Sequence, residues 1–205
     1  MRTWFPKVYD VAMKPLEASR FKEIRRDLVE KAEGRVLEIG SGTGINFPYY
    51  KNARQVDAIE PNPSMSKRAD EQLRHAQVPI RVHETGAEAL PFADNTFDTV
   101  VATLVFCTIP VPMKALAEIQ RVSKPGARLL FFEHVRMEPI FLSKTQDILN
   151  PLWQKICDGC QLNRDTLEMI KKSGIEVTKV KSYYAKLFLY IEGTNRMTER
   201  MNHDE

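Results

Sequence analysis

A nine-residue stretch, Val36-Leu37-Glu38-Ile39-Gly40-Ser41-Gly42-Thr43-Gly44, constrains the fold of this chain more than any other. Val36, Leu37 and Ile39 read as a short buried strand, and three glycines in five positions follow at once. Glycines so spaced do not serve packing. They let the backbone turn sharply, tolerate positive φ and bring bare N–H groups close to a ligand. A strand that ends in such a turn and feeds a helix is the nucleotide-binding corner of a doubly wound α/β sheet.

The rest of the chain supplies what that sheet needs. Leu16, Phe21, Ile24 and Leu28 follow helical spacing and predict a helix from Leu16 to Ala32, which Gly34 stops. Gln55–Ile59, Ile80–Val82, Phe97–Ala102 and Arg128–Val135 read as further strands. Between them lie a short helical stretch, Ile45 to Tyr50, and a helix opened by Asn62 as N-cap with Pro63 at its first position. Met113, Leu116, Ile119 and Val122 mark another amphipathic helix. Strands alternating with helices imply parallel pairing through right-handed crossovers.

Residues 137–162 break this rhythm with Pro139, Phe141, Ile148, Leu149, Pro151 and Trp153, and predict an inserted helical cap around a pocket. Asn163 is expected to cap a helix that runs to Lys172. Ile175–Ser182 and Lys186–Glu192 are too close together for a crossover and must pair antiparallel. The expected fold class is therefore α/β: a doubly wound, mostly parallel seven-stranded sheet with one antiparallel strand near the C-terminus. A chain of 205 residues, 43% hydrophobic, suits one domain, with an N-terminal helical lid over about 1–32 and the cap over about 137–162. The aromatic opening, Trp4, Phe5, Val8, Tyr9 and Met13, either packs on the core or folds over a ligand.

Composition narrows the function classes. A net charge of +3 spread along the chain describes a solvated surface rather than a nucleic-acid footprint. No apolar run reaches the roughly 18 residues of a membrane span, and the N-terminus shows no export signal. Three cysteines, an odd number, point to a reducing cytoplasm rather than a disulfide framework.

The glycine spacing Gly40-x-Gly42-x-Gly44 departs from the G-x-G-x-x-G of nicotinamide-dependent oxidoreductases. With Glu38 before it, the stretch resembles the first motif of class I S-adenosylmethionine-dependent methyltransferases. Three more segments are similar to that family in the right order: Gly86-Ala87-Glu88-Ala89-Leu90-Pro91-Phe92 with Phe97-Asp98, Thr103-Leu104-Val105-Phe106, and Glu118-x-x-Arg121-Val122-x-Lys124-Pro125-Gly126. The resemblance implies S-adenosylmethionine as cofactor and S-adenosylhomocysteine as product. Glu38, Gly40 and Gly42 would line the methionine and ribose end, and Glu60 with Pro61 the ribose hydroxyls. Gly86, Ala87 and Glu88 would surround the adenine, with Thr103 and Leu104 beneath the cofactor. Many family members carry an acid where this chain has Gly86. Asp98 and Arg121 are expected to serve the fold, and Phe92 and Phe97 the core.

Past the core, Phe132-Glu133-His134-Val135, Trp153-x-x-x-x-Asp158-Gly159-Cys160 and Asn163-Arg164-x-Thr166 resemble a branch of small methyltransferases. That branch includes membrane-associated enzymes linked to alkyl thiols and relatives described as phospholipid N-methyltransferases. The membrane-associated members carry an apolar N-terminal anchor, and this chain is expected to be a soluble cousin without one. Trp4, Phe5, Phe141 and Trp153 suggest an apolar pocket for a small lipophilic acceptor: a thiol, amine, phenol or lipid head group.

His134 closes the fifth strand on the edge where open α/β sheets bind ligands. It is a general base, a hydrogen-bond donor to substrate, or a histidine satisfied by backbone. Asp158 either orients a substrate or forms a turn with Gly159. Cys157-x-x-Cys160 invites a metal or redox reading, but zinc wants four ligands and no second pair stands nearby in sequence. The thiols are expected to be structural or pocket-lining, with no metal, and His75 and His83 to be surface groups. The rival functions are a catalytically silent cofactor-binding protein and, disfavoured by the glycine spacing, an NAD(P)-dependent oxidoreductase.

Overall fold

The computed structural model describes residues 20–196. Trp4, Phe5 and the rest of the opening segment lie outside the described residues. In chain order the elements are α1 (Arg20–Val29), β1 (Gly34–Ile39), a 3-10 turn at Phe47–Tyr49, β2 (Ala53–Ile59), α2 (Pro63–Leu73), β3 (Ile80–His83) and β4 (Phe97–Thr103). Then follow α3 (Pro112–Val122), β5 (Ser123–His134), α4 (Ile140–Ile156), α5 (Thr166–Lys172), β6 (Glu176–Tyr183) and β7 (Phe188–Thr194).

Seven strands form one sheet in the order β3-β2-β1-β4-β5-β7-β6. β1 pairs parallel with both β2 and β4, so the strand order reverses between β1 and β4 and opens a crevice at their carboxyl ends. β7 runs against β5 and β6, as the short connection before it requires. Tyr184, Ala185 and Lys186 all adopt left-handed φ in that connection. Three residues spent on the turn explain why β7 begins at Phe188 rather than Lys186.

Period-2 alternation divides the core between the two faces. Leu37, Val100, Leu129 and Phe131 face α3 through Ala115, Leu116, Ile119 and Val122. Val36, Val101, Leu130 and Phe132 face α1 through Phe21, Ile24 and Leu28. The described part of the N-terminal helix thus packs on the sheet. Asn62 caps α2 through Ser64 N, with Pro63 at the first position.

Some expectations need correction. Asp165, not Asn163, caps α5: its carboxylate accepts from Glu168 N, while the Asn163 amide is taken by Asp147. His83 is not a free surface group, because Nε2 lies 3.0 Å from Oδ1 of the buried Asp57. Asp98 and Arg121 do serve the fold. Asp98 accepts from Arg35 N and Lys124, and Arg121 holds the carbonyls of Leu90 and Phe92.

α4 is an unusual cap helix. Its buried residues are Ser143 and Gln146, whereas Ile140, Phe141, Ile148 and Leu152 are exposed. Hydrogen bonds rather than apolar packing dock it: Gln146 reaches Met137 N and the carbonyls of Val135 and Leu162, and Asn150 accepts from Leu162 N. Phe141, 79% exposed, does not line a pocket formed by the described residues. Among the described residues no helix is long and apolar enough to cross a membrane.

Candidate active site

The turn after β1 is held from three sides. Gly40 sits at φ +64°, and a Cβ there would fall 2.2 Å from Cγ2 of Val105, so the turn can lie against the loop after β4 only without a side chain. Ser41 N donates to Ile59 O, which ties the turn to β2. Gly42 N donates to Glu60 Oε2 at 3.0 Å. Ser41 Oγ is buried without a hydrogen-bond partner, the kind of orphan that a polar ligand satisfies.

Glu60 ends β2 beside this turn, 8% exposed, with Pro61 exposed next to it. Its Oε1 accepts from Asn62 N at 2.9 Å, so each carboxylate oxygen takes one backbone N–H and keeps further capacity. Burial raises its pKa against the pull of those two N–H groups, and the negative charge of Asp158 adds to the rise. Asp158 therefore brings the turn after the cap within electrostatic range of the β2 edge.

Glu38 is buried, and its two oxygens point into the fold. Asn46 Nδ2 donates to Oε1 at 2.7 Å and the Tyr50 hydroxyl to Oε2 at 3.0 Å. Beneath them Arg25, 1% exposed, donates through one nitrogen to Asn46 Oδ1 and Thr103 Oγ1, both at 2.9 Å. Burial pushes the Glu38 carboxyl up to about 7, even though Asn46, Tyr50 and the Arg25 charge all favour its ionised form. The network braces the glycine turn from below and engages the hydroxyl of Thr103. Neither Arg25 nor Asn46 stands out in the sequence; a charged residue on the apolar stripe of α1 is the only local sign.

Gly86, Ala87 and Glu88 follow β3. A Cβ on Gly86 would stand 3.1 Å from Glu88 Oε2, and Glu88 Oε1 accepts from Val111 N at 3.3 Å. Glu88 thus spans from its own loop to the start of α3. Leu104 adopts φ +54° directly after β4, with its N–H donating to Phe132 O.

The carboxyl ends of β4 and β5 meet in a second buried network. Glu133, fully buried, accepts from the backbone N–H groups of Val105 and Phe106, and burial pushes its carboxyl up to about 7. Next to it His134 Nε2 lies 3.3 Å from Cys160 Sγ. Cys107, from the loop after β4, completes the group: the His134, Cys107 and Cys160 ligand atoms all lie within 4.8 Å of one another. The Cys107 thiol, and then His134, hold Cys160 well below the usual thiol range. Burial works to lower the His134 pKa, but its contact with Cys160 raises it on balance. Asp158 and Gly159, both at positive φ, make the turn that presents Cys160.

The structure thus brings Glu38, Gly40, Gly42 and Glu60 together at the β1–β2 edge, and Thr103, Leu104 and His134 at the β4–β5 edge. The Cys157-x-x-Cys160 pair does not act as a unit. Cys160 turns to His134 and Cys107, a residue the sequence offered no reason to single out.

A family model described as "Methyltransferase domain" matches residues 37–131. The rat thiol S-methyltransferase TMT1B is 36% identical over 188 residues, covering 84% of this chain and 75% of the relative. Human thiol S-methyltransferase TMT1A is 32% identical over 197 residues, covering 91% and 81%. A phosphatidylethanolamine N-methyltransferase from Cereibacter sphaeroides is 35% identical over 103 residues, covering 49% of this chain and 51% of the relative. The solved structure of the [4+2]-cyclase SpnF superposes with a TM-score of 0.70 at 18% identity, over 87% of this chain and 81% of that one, which shows a shared fold.

Proposed function

The chain belongs to the class I S-adenosylmethionine-dependent methyltransferases, and from that premise we propose that its acceptor is a small lipophilic thiol. S-adenosylmethionine supplies a sulfonium methyl that is already activated, so the protein's part is to hold, align and exclude water.

In this reading Gly40, Gly42 and the Glu38 network hold the methionine and ribose end. Glu60, beside Pro61, takes the ribose hydroxyls with the lone pairs its backbone contacts leave free. The backbone of Gly86 and Ala87, with Glu88 folded against them, surrounds the adenine, and Thr103 and Leu104 form the floor. The orphaned Ser41 hydroxyl and the Gly40 turn, which no side chain can fill, support this fit.

The acceptor end carries the choice of a thiol. A free thiol has a pKa of about 8.5, and only its thiolate is a strong nucleophile, so the site must help remove a proton. His134 stands at the β5 edge with its imidazole already engaging sulfur, which is the observation that carries the proposal. The thiol methyltransferases among the relatives support it. The chain acts as one domain, with the 137–162 region capping the acceptor. Its three free cysteines suit a reducing, cytoplasmic setting and a small-molecule partner rather than nucleic acid.

A methyl-transfer screen with labelled cofactor tests this directly. Alkyl and aryl thiols should be methylated at least tenfold faster than matched alcohols, phenols, amines and aminophospholipids. Transfer to amines or phenols with none to thiols would sink the proposal.

A further inference from the structure

Cys107, His134 and Cys160 come from three separate elements, yet their donor atoms converge, and among the described residues no other trio of His, Cys, Asp or Glu does so. Their backbones are fixed independently of any contact between the side chains. Arg164 donates to the carbonyls of Phe106 and Ile109 on either side of Cys107. Gln161 N donates to Cys107 O at 3.0 Å, which links the Cys160 segment to the Cys107 loop. Glu133 ties β5 to that same loop through Val105 and Phe106. Three ligand-type side chains are therefore held in register by backbone bonds that do not need them.

We propose that Cys107, His134 and Cys160 bind one zinc ion, and that its fourth position takes the sulfur of the acceptor thiol. The donor set argues for a soft or borderline cation, since two thiolates and an imidazole suit zinc and not magnesium or calcium. In a tetrahedral site, Zn–S bonds of ~2.3 Å and Zn–N bonds of ~2.0 Å place donor atoms roughly 3.5–3.8 Å apart. His134 Nε2 and Cys160 Sγ stand at 3.3 Å and the whole group lies within 4.8 Å, so closing on a metal asks for a shift of about 1 Å. Three protein ligands leave one position open, the pattern of a catalytic rather than a structural zinc site.

His134 Nδ1 is buried without a hydrogen-bond partner, so the acceptor that normally steadies a ligating imidazole is missing. That absence lowers affinity by about 10–100-fold relative to a fully supported site. The thiolates carry most of the binding.

The inference rests on the thiol-acceptor reading and gives it a means of ionisation. On coordination the acceptor gives up its S–H proton to solvent and stays as a metal-bound thiolate. A sulfur lone pair then forms the new C–S bond as the sulfonium C–S bond breaks. The bonding pair stays on the donor sulfur, which leaves as a neutral thioether. His134 thereby helps the acceptor lose its proton as a ligand of the metal rather than by taking the proton itself.

The test uses reduced, metal-stripped full-length protein titrated with Co2+ and then Zn2+. One equivalent of Co2+ should give tetrahedral visible bands and a sulfur-to-cobalt charge-transfer band, both removed by Zn2+. Cys107→Ser and Cys160→Ser should each lower the apparent zinc affinity at least a hundredfold, while Cys157→Ser leaves it within about threefold. Calorimetry with S-adenosylhomocysteine checks that each variant folds. Butanethiol should shift the cobalt visible bands and butanol should not.

No stoichiometric cobalt spectrum, or one retained in both Cys107→Ser and Cys160→Ser, would overturn the metal site. A cobalt spectrum that butanethiol leaves unchanged would overturn the open position. Thiol methylation at full rate by metal-stripped protein would overturn the zinc's role and leave the thiol reading standing. Absence of thiol methylation in every metal state, with the cobalt spectrum intact, would remove the acceptor reading and with it the zinc's role.

Discussion

Replacing Glu60 with Gln tests the cofactor-holding edge most sharply. Both carboxylate oxygens already accept a backbone N–H, Oε2 from Gly42 and Oε1 from Asn62. A carboxamide offers one oxygen, so in either orientation its NH2 faces a donor, and one of the two backbone contacts is lost. In the proposed reading the ribose loses the charge as well as one acceptor, and hydrogen bonds to a charged group are worth ~1.5–3 kcal/mol each. Losing one or weakening both gives about 2–4 kcal/mol, or roughly 30- to 1000-fold in Kd. Calorimetry with S-adenosylmethionine and S-adenosylhomocysteine measures that loss. A cycle with a 2′,3′-dideoxy analogue separates ribose contact from damage to the glycine turn. If Glu60 binds the hydroxyls, the analogue binds the wild type more weakly but loses little further affinity in Glu60→Gln. Fully additive losses would show that Glu60 only braces the turn, and the ribose assignment would fall.

Three further predictions concern the same corner. Gly40→Ala puts a methyl 2.2 Å from Val105 Cγ2 at φ +64°, so it should cost about 2–4 kcal/mol of unfolding free energy from backbone strain and overpacking together. In urea denaturation Val105→Ala should restore part of this, and a cost below 0.5 kcal/mol, well under the roughly 1 kcal/mol floor for either effect, would refute the clash. Glu38, raised to about 7 by burial, holds its proton in the folded state between about pH 4.5 and 7 while the unfolded chain releases it. Stability should therefore fall with rising pH across that window, by up to about 3 kcal/mol. Glu38→Gln should remove its share of this limb and leave that of Glu133, which burial raises to the same range; an unchanged slope would mean Glu38 is ionised throughout. Arg25→Met leaves Asn46 Oδ1 without its buried donor and Thr103 Oγ1 with only Asn46 Nδ2, and should cost about 2–4 kcal/mol. It should also weaken cofactor binding, and a variant as stable as wild type would show that the network is dispensable.

The fold was largely legible in the sequence because it rests on local rules. Val36–Gly44 placed the strand and its turn, Asn62-Pro63 the start of α2, and the short gap before β7 its reversed direction. What local reasoning missed was competition between neighbouring residues. Asn163 and Asp165 are both good caps, and only the pull of Asp147 on Asn163 decides between them. His83 lies on a short strand near the sheet edge, and nothing nearby in sequence shows that the neighbouring strand presents a buried Asp57 to it. α4 shows the helical period, but spacing does not say that polar Ser143 and Gln146 would be the buried residues.

The two ends of the site differ in legibility for a physical reason. The end proposed to hold the cofactor is shaped by backbone: positive φ at Gly40, the N–H of Gly42 given to Glu60, a tight turn before α2. Such demands restrict residue type at fixed spacing, so they leave a motif. The end proposed for the acceptor is built from side chains at the tips of β4 and β5 and of a turn more than twenty residues further on, and no spacing rule relates positions 107, 134 and 160. The one pattern present, Cys157-x-x-Cys160, pointed to the wrong partner. Cys160 N bonds to Cys157 O, which closes the turn, and left-handed φ at Asp158 and Gly159 carries the Cys160 side chain to His134 and Cys107 instead. A close pair of cysteines in sequence is thus a statement about the turn between them, and their chemistry belongs to whatever the sheet edge brings opposite.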